Sequence, residues 1–408
     1  MSAHPGAAAA APEWVSIDRE RSLAHLMELL AIEGTSGRER AVAAAVREKL
    51  LAAGCKSAWI RHDDAHRRID ARWEVGNLIV KVPGSRGRTR DPRLLFMGHL
   101  DTVPLCRGAV PVRRGDRIES EGETALGGDN RTAVAALVTM VETVIARALP
   151  HPPFTLLLTV GEEVGLKGSG AVRLRDLGAA AMGFNVDGGD PSQMTVGAIG
   201  ADRWHVEVIG RSSHAGVHPE DGISAALIAA RAIANVAEDG WFGKIEKGKQ
   251  LGTSNVGSIS GGEATNQVTD RVRVTGESRS HDARFLGRIT SVYRRAFEKA
   301  AREARNASGA RGRIEFHAQR DYDSFRLPKS SAPVVRATAA IRALGLEPSL
   351  RIANGGLDAN NLSARGIPTV TLGAGQHRPH TVDEYVEIAE YLTSAQLLTH
   401  LATTREDV

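Results

Sequence analysis

Five short apolar runs constrain this chain more than any other feature. Asn77 to Val82, Leu94 to Met97, Phe154 to Val160, Ala181 to Val186 and Thr369 to Leu372 are each of strand length, and several end at Gly or Asp. Between two of them, Thr132 to Ala148 (TAVAALVTMVETVIARA) reads as a helix buried over much of its surface. Strands alternating with such helices predict an α/β fold: a mixed, mostly parallel sheet with helices on both faces. Upstream, from Ser22 to about Gly54, two helical patterns flank the break EGTSGRE. Gly34 and Gly37 punctuate it, and Ser36 is placed to cap the second helix.

The middle of the chain has another rhythm. Trp204 to Ile209 reads as a strand and Ile223 to Ala237 as a long helix. Strands near Ser254 to Ser260 and Arg271 to Ser278 follow, then a basic helix from about Asp282 to Arg305 and a strand near Arg313 to Ala318. The order βαββαβ matches a split-βαβ sandwich. It predicts an α+β domain inserted at about 200–322, with 1–199 and 323–408 forming one discontinuous domain. A length of 408 residues suits two domains and a large core.

Composition narrows the function. With 42% hydrophobic and 25% charged residues, the chain is not mostly disordered. The balance of 52 − 48 = +4 is too small to argue for nucleic acid. No stretch reaches the roughly 18 apolar residues of a membrane span. Cys55 and Cys106 alone exclude a disulfide framework and a thiolate zinc site, which favours the cytoplasm. The start, MSAHPGAAAAAPEW, lacks a basic region and a long apolar region, and reads as a short disordered tail.

Acidic residues and histidines gather where predicted strands end: His99 and Asp101 in GHLDTVP, Asp129 in GGDN, Glu162 and Glu163 in GEEVGLKGS, and Asp187 in NVDGGD. In open α/β sheets, ligands bind outside the carboxyl ends of the strands, so these side chains can converge. Singly, each has a plain explanation as a core histidine, a turn aspartate or a solvated pair of glutamates. Jointly, they offer nitrogen and oxygen donors without thiolate, a set that suits zinc and also cobalt or manganese. GAGQHRPHTVDEY adds His377 and His380. Two histidines and three carboxylates are enough for two divalent metal ions with one carboxylate bridging.

These motifs, with GRSSHAGVHPEDGISA and GGLDANNLSARGIPTVTLGAG, resemble in order those of metallopeptidase family 20. That di-zinc group includes carboxypeptidase G, aminoacylases and peptidase T; the likeness is greatest to peptidase T-like members. The resemblance implies a zinc-exopeptidase-like sheet with an inserted lid domain. It implies that His99 and Asp187 bind one zinc, Glu163 and His380 the other, and that Asp129 bridges them, often before a cis peptide bond. Asp101 would orient His99. Glu162 would be the general base, and His214 in the lid would stabilise the oxyanion, coming from the partner subunit in dimeric relatives. Arg279, Asn266, Gly355 and Gly356 would contact substrate. Leu357 stands where the family usually has Thr or Ser, while Asp190 and His377 match no ligand position.

The implied activity is hydrolysis of short peptides by a homodimer joined through the inserted domain. The alternatives are an N-acyl amino acid amidohydrolase or carboxypeptidase, or a non-catalytic peptide- or metal-binding protein. Weaker signals have plain readings. The Arg-rich stretch from Arg294 to Arg313 is a solvated helix face, Arg61 to Trp73 a surface hairpin or loop, Ser85 to Pro92 an exposed loop, and Cys106 a small packed side chain.

Overall fold

A computed structural model describes residues 15–405; the tail read as disordered lies outside the described residues. The chain divides into two compact units. One comprises the chain up to Val196 with Leu327–Ile352 and everything from Leu357 on. The other comprises Gly197–Arg326 with Ala353–Gly356.

In the first unit the sheet runs in the order Ile60–His62, Leu78–Val82, Phe154–Thr159, Arg93–His99, Ala180–Val186, Thr369–Leu372, Gln193–Ala198. Its centre is parallel. Arg93–His99 pairs with Phe154–Thr159 and Ala180–Val186, and Thr369–Leu372 pairs with Ala180–Val186. The flanking pairs are antiparallel. Neighbouring residues of a strand face opposite ways. Leu94 and Phe96 join a large core that includes Val134, Leu137 and Val141 of the helix Gly128–Ala146. Leu95 and Met97 pack instead with Ile79, Leu157, Leu177 and Leu362. Burial on both faces is why the strands read as unbroken apolar runs rather than alternating ones.

The second unit is an antiparallel sheet in the order Gly243–Lys247, Gln250–Gly261, Arg271–Ser280, Gly200–Ile209, Arg313–Tyr322. Here the pattern does alternate: Trp204, Val206 and Val208 are buried, while Arg203, His205 and Glu207 are more exposed. The buried face packs on the helices Ala225–Glu238 and Ala283–Glu303. The latter contributes Phe285, Ile289, Tyr293 and Phe297, four residues apart along one stripe. Arg294, Arg295 and Lys299 lie on its solvated side. Beyond the expected βαββαβ order, Gly243–Lys247 forms one extra strand, turning back at Gly248.

Two local expectations are corrected and a third is refined. Ser36 does not cap the second helix: Arg40–Ala52 has no side-chain cap, and Ser36 Oγ donates to Asp101 Oδ2 at 2.6 Å. The hydroxyl takes a carboxylate, the stronger acceptor. Arg61 to Trp73 contains no hairpin of its own; Arg61 and His62 end a strand, and a short helix follows at Ala65–Ile69. The buried Asp63 ties this segment down by accepting from Ala65 N, Asn77 N and Asn77 Nδ2. Within Ser85 to Pro92, Arg88 is buried and donates to the carbonyls of Thr403 and Thr404.

Candidate metal centre

The apolar strands of the first unit deliver polar residues at their ends. His99 is the last residue of Arg93–His99, Glu162 and Glu163 follow Phe154–Thr159, and Asp187 follows Ala180–Val186. Asp129 stands at the start of Gly128–Ala146, and the Asp129–Asn130 bond is cis. His380 comes from a loop between Gln376–His377 and Tyr385–Glu387, strands of a small sheet that also holds Arg117–Ser120 and Pro111–Arg114.

These residues converge. Donor atoms of His99, Asp129 and Glu163 lie within 4.8 Å of one another. His99 Nε2 is 3.0 Å from Asp129 Oδ1. His380 Nε2 is 2.9 Å from Glu163 Oε1 and 3.6 Å from Asp129 Oδ2. Asp187 Oδ1 accepts from Gln376 Nε2 at 3.2 Å. Asp101 binds the second nitrogen of His99 through its main-chain oxygen at 3.0 Å, with Oδ1 at 3.5 Å. Its carboxylate accepts from Glu162 N at 2.9 Å, Glu163 N at 3.2 Å and Ser36 Oγ. Asp101 therefore ties the ends of two adjacent strands together.

Burial, followed by the neighbouring charges of Asp187 and Asp358, holds the Glu162 carboxyl well above the usual range. Asp187 is raised in the same way, by burial and then by Asp129. Glu163 is also raised, chiefly by burial. His99 stands well above an ordinary imidazole: burial opposes this, but hydrogen bonds to Asp101 and Asp129 outweigh it. Hydrogen bonds to Asp129 and Glu163 raise His380 to about 10. The carboxylates thus outnumber the two imidazoles that face them, an imbalance that divalent cations correct. The nitrogen and oxygen donors fit such ions. Cys106 offers no competing thiolate, because burial, followed by Glu384, pushes it up to about 12.

Other groups here were not read from the motifs that contain them. Glu39 of EGTSGRE is buried and accepts from Gly37 N and Gly161 N. Asp358 of GGLDANN is buried, accepts from Thr159 Oγ1, and leaves Oδ1 without a partner. Glu384 of HTVDEY accepts from Gly127 N and Asp129 N. Arg131 is fully buried and donates to the carbonyls of Leu100 and Ile32. An arginine directly before the long apolar run that opens at Thr132 was the available signal for Arg131.

His214, Asn266, Arg279, Gly355 and Gly356 belong to the second unit. His214 and Asn266 are exposed, and Asn266 O accepts from Ala215 N. Arg279 donates to both oxygens of Glu277. A Cβ on Gly356 would strike the Tyr322 ring, whereas Gly355 is open.

The model of peptidase family M20/M25/M40 matches residues 95–404. An uncharacterized protein of Bacillus subtilis, YqjE, is 29% identical over 384 residues, covering 94% of this chain and 97% of that one. Two solved structures are similar, each 29% identical and covering 95% of this chain and 98% of the other. They are the aminopeptidase PepT of Bacillus cereus (TM-score 0.80) and a tripeptidase of Staphylococcus aureus (TM-score 0.82).

Proposed function

Because the chain belongs to peptidase family M20/M25/M40, we propose that it is a metal-dependent hydrolase of short peptides, of the aminopeptidase or tripeptidase kind. The observation that carries this reading is the meeting of His99, Asp129, Glu163 and His380 beside the buried Glu162. His99 and Asp187 would hold one divalent ion, Glu163 and His380 the other, and Asp129 both. Zinc is the first choice for these donors, with cobalt or manganese as substitutes. When bound, the ions supply Lewis-acid polarisation of the scissile carbonyl and acidify the attacking water.

Glu162 accepts the proton of that water and returns it to the leaving amine. Its main-chain N–H is pinned on Asp101, which fixes the backbone from which the carboxyl projects. His214, Asn266 and Arg279 are assigned to the oxyanion and the substrate ends on motif resemblance. So is a homodimer through the second unit. The free, buried Cys55 and Cys106 accord with a cytoplasmic enzyme.

Purified protein supplied with zinc, cobalt or manganese should hydrolyse some di- or tripeptides in preference to N-acyl amino acids. Glu162→Gln should lose most turnover, about 10²–10⁴-fold, while keeping its metal. Equal turnover in the two proteins would refute the mechanism. Preference for N-acylated substrates would move the enzyme to the amidohydrolase branch.

A further inference from the structure

The loop that carries His380 returns to the centre a second time, four residues later. Glu384 is 2% exposed, and both carboxylate oxygens are engaged. Oε2 accepts from Gly127 N at 2.8 Å and Oε1 from Asp129 N at 2.9 Å. These N–H groups belong to the turn that presents Asp129. Gly127 has φ +81°, which glycine adopts freely. A Cβ on Gly128 would sit 3.2 Å from Glu384 Oε1 and 2.9 Å from Val386. The two glycines thus let a carboxylate fit beneath the turn.

The same hairpin reaches Asp187. Gln376 Nε2 donates to Asp187 Oδ1, while Gln376 Oε1 accepts from Thr132 Oγ1 at 2.9 Å. The hairpin is itself cross-linked by pairing and stacking. Gln376–His377 pairs with Tyr385–Glu387, and the His377 ring stacks on Tyr385 at 5.0 Å. Arg117 lies 4.1 Å over the other partner of that stack, Tyr385, and donates to Glu387.

We propose that Glu384 is a positioning residue of the metal centre. It holds the Asp129 turn from below, so that the shared carboxylate and His380 keep a fixed separation. The proposal rests on the reading of Asp129 as a metal ligand. Groups that orient metal ligands typically change affinity by about 10–100-fold when removed. Glutamine keeps one acceptor oxygen but turns an N–H₂ toward one of the two backbone donors, so it replaces only half of the clamp.

The test is zinc affinity, by competition with a chromophoric chelator, for wild type, Glu384→Gln, Glu384→Ala and Asp129→Ala. The thermal midpoint of each apo protein is measured alongside. Glu384→Gln should bind at least one zinc about 10-fold more weakly, and Glu384→Ala up to about 100-fold, with the chelator-treated midpoint of Glu384→Gln close to wild type. Wild-type zinc affinity in Glu384→Gln overturns the positioning role, whether or not Glu384→Ala folds. So does a loss of apo stability with unchanged affinity. Zinc binding by Asp129→Ala equal to wild type defeats instead the ligand assignment on which the proposal rests.

Discussion

Gly161, immediately before Glu162, offers a quantitative check on how tightly the centre is packed. Its φ is +60°, its N–H donates to Glu39 Oε1 at 3.0 Å, and its carbonyl accepts from Lys167 N. A Cβ built there would lie 2.5 Å from Trp73 Cζ3 and closer still to Cη2. Real contacts are never so short, and the indole is braced on its other edge: a Cβ on Gly37 would meet Trp73 Cδ1 and Nε1 at 3.0 Å. Gly161→Ala therefore incurs two costs. The left-handed backbone costs about 1–2 kcal/mol for alanine, and forcing the ring aside costs about 1–3 kcal/mol. The sum is about 2–5 kcal/mol. Trp73→Leu removes the obstacle but not the backbone term. In that background Gly161→Ala should cost only about 1–2 kcal/mol, leaving a coupling of about 1–3 kcal/mol between the sites. Urea denaturation of the four proteins, followed by circular dichroism, measures this. Peptide turnover should fall in Gly161→Ala through kcat more than through KM, because the strained residue directly precedes the proton acceptor Glu162. Additive effects in the four proteins, or a Gly161→Ala protein as stable as wild type, would refute the packing argument.

Two further outcomes follow from the charges around the centre. Burial first, and then the charge of Asp101, raises Glu39 from the ordinary 4.5 to about 7. Between those values the folded protein holds a proton that the unfolded chain has released, so stability falls as pH rises through the window. The difference is on the order of 3 kcal/mol. Glu39→Gln should flatten the fall in thermal midpoint between pH 5 and pH 8, and curves parallel to wild type would exclude this source. Chelation should lower the thermal midpoint at pH 7 and zinc should restore it; zinc at 100 times its Kd adds about 2.7 kcal/mol. Asp187→Asn should shrink that zinc-dependent gain, and an undiminished gain would remove Asp187 from the ligand set.

The central strands were legible because they are buried on both faces, which leaves an unbroken apolar signature. The residues at their ends were legible because a sheet of this kind gathers side chains at one edge. What escaped was short or supported from afar. Gln376–His377 and Tyr385–Glu387 have two and three residues, too few to show a period. Gln193–Ala198 mixes Gln, Thr and Gly with its apolar residues and shows no clean run. Glu384 is recognisable only through donors more than 250 positions away in the chain. Ser36 had a local partner in prospect, the helix start, and took a remote one, Asp101.

The strand Thr369–Leu372 lies between Ala180–Val186 and Gln193–Ala198. Its neighbours on either side leave the ribosome early, and the whole second unit is translated before it. A nascent chain thus carries a gap in its sheet, with one edge of Ala180–Val186 unpaired, while another domain is being made. The four acidic and imidazole positions supplied by the first half wait over the same interval for His380. Completion of the sheet and completion of the cation site are therefore consecutive events, separated by eleven codons from Thr369 to His380. Vectorial synthesis makes an interior strand of this sheet one of the last to arrive.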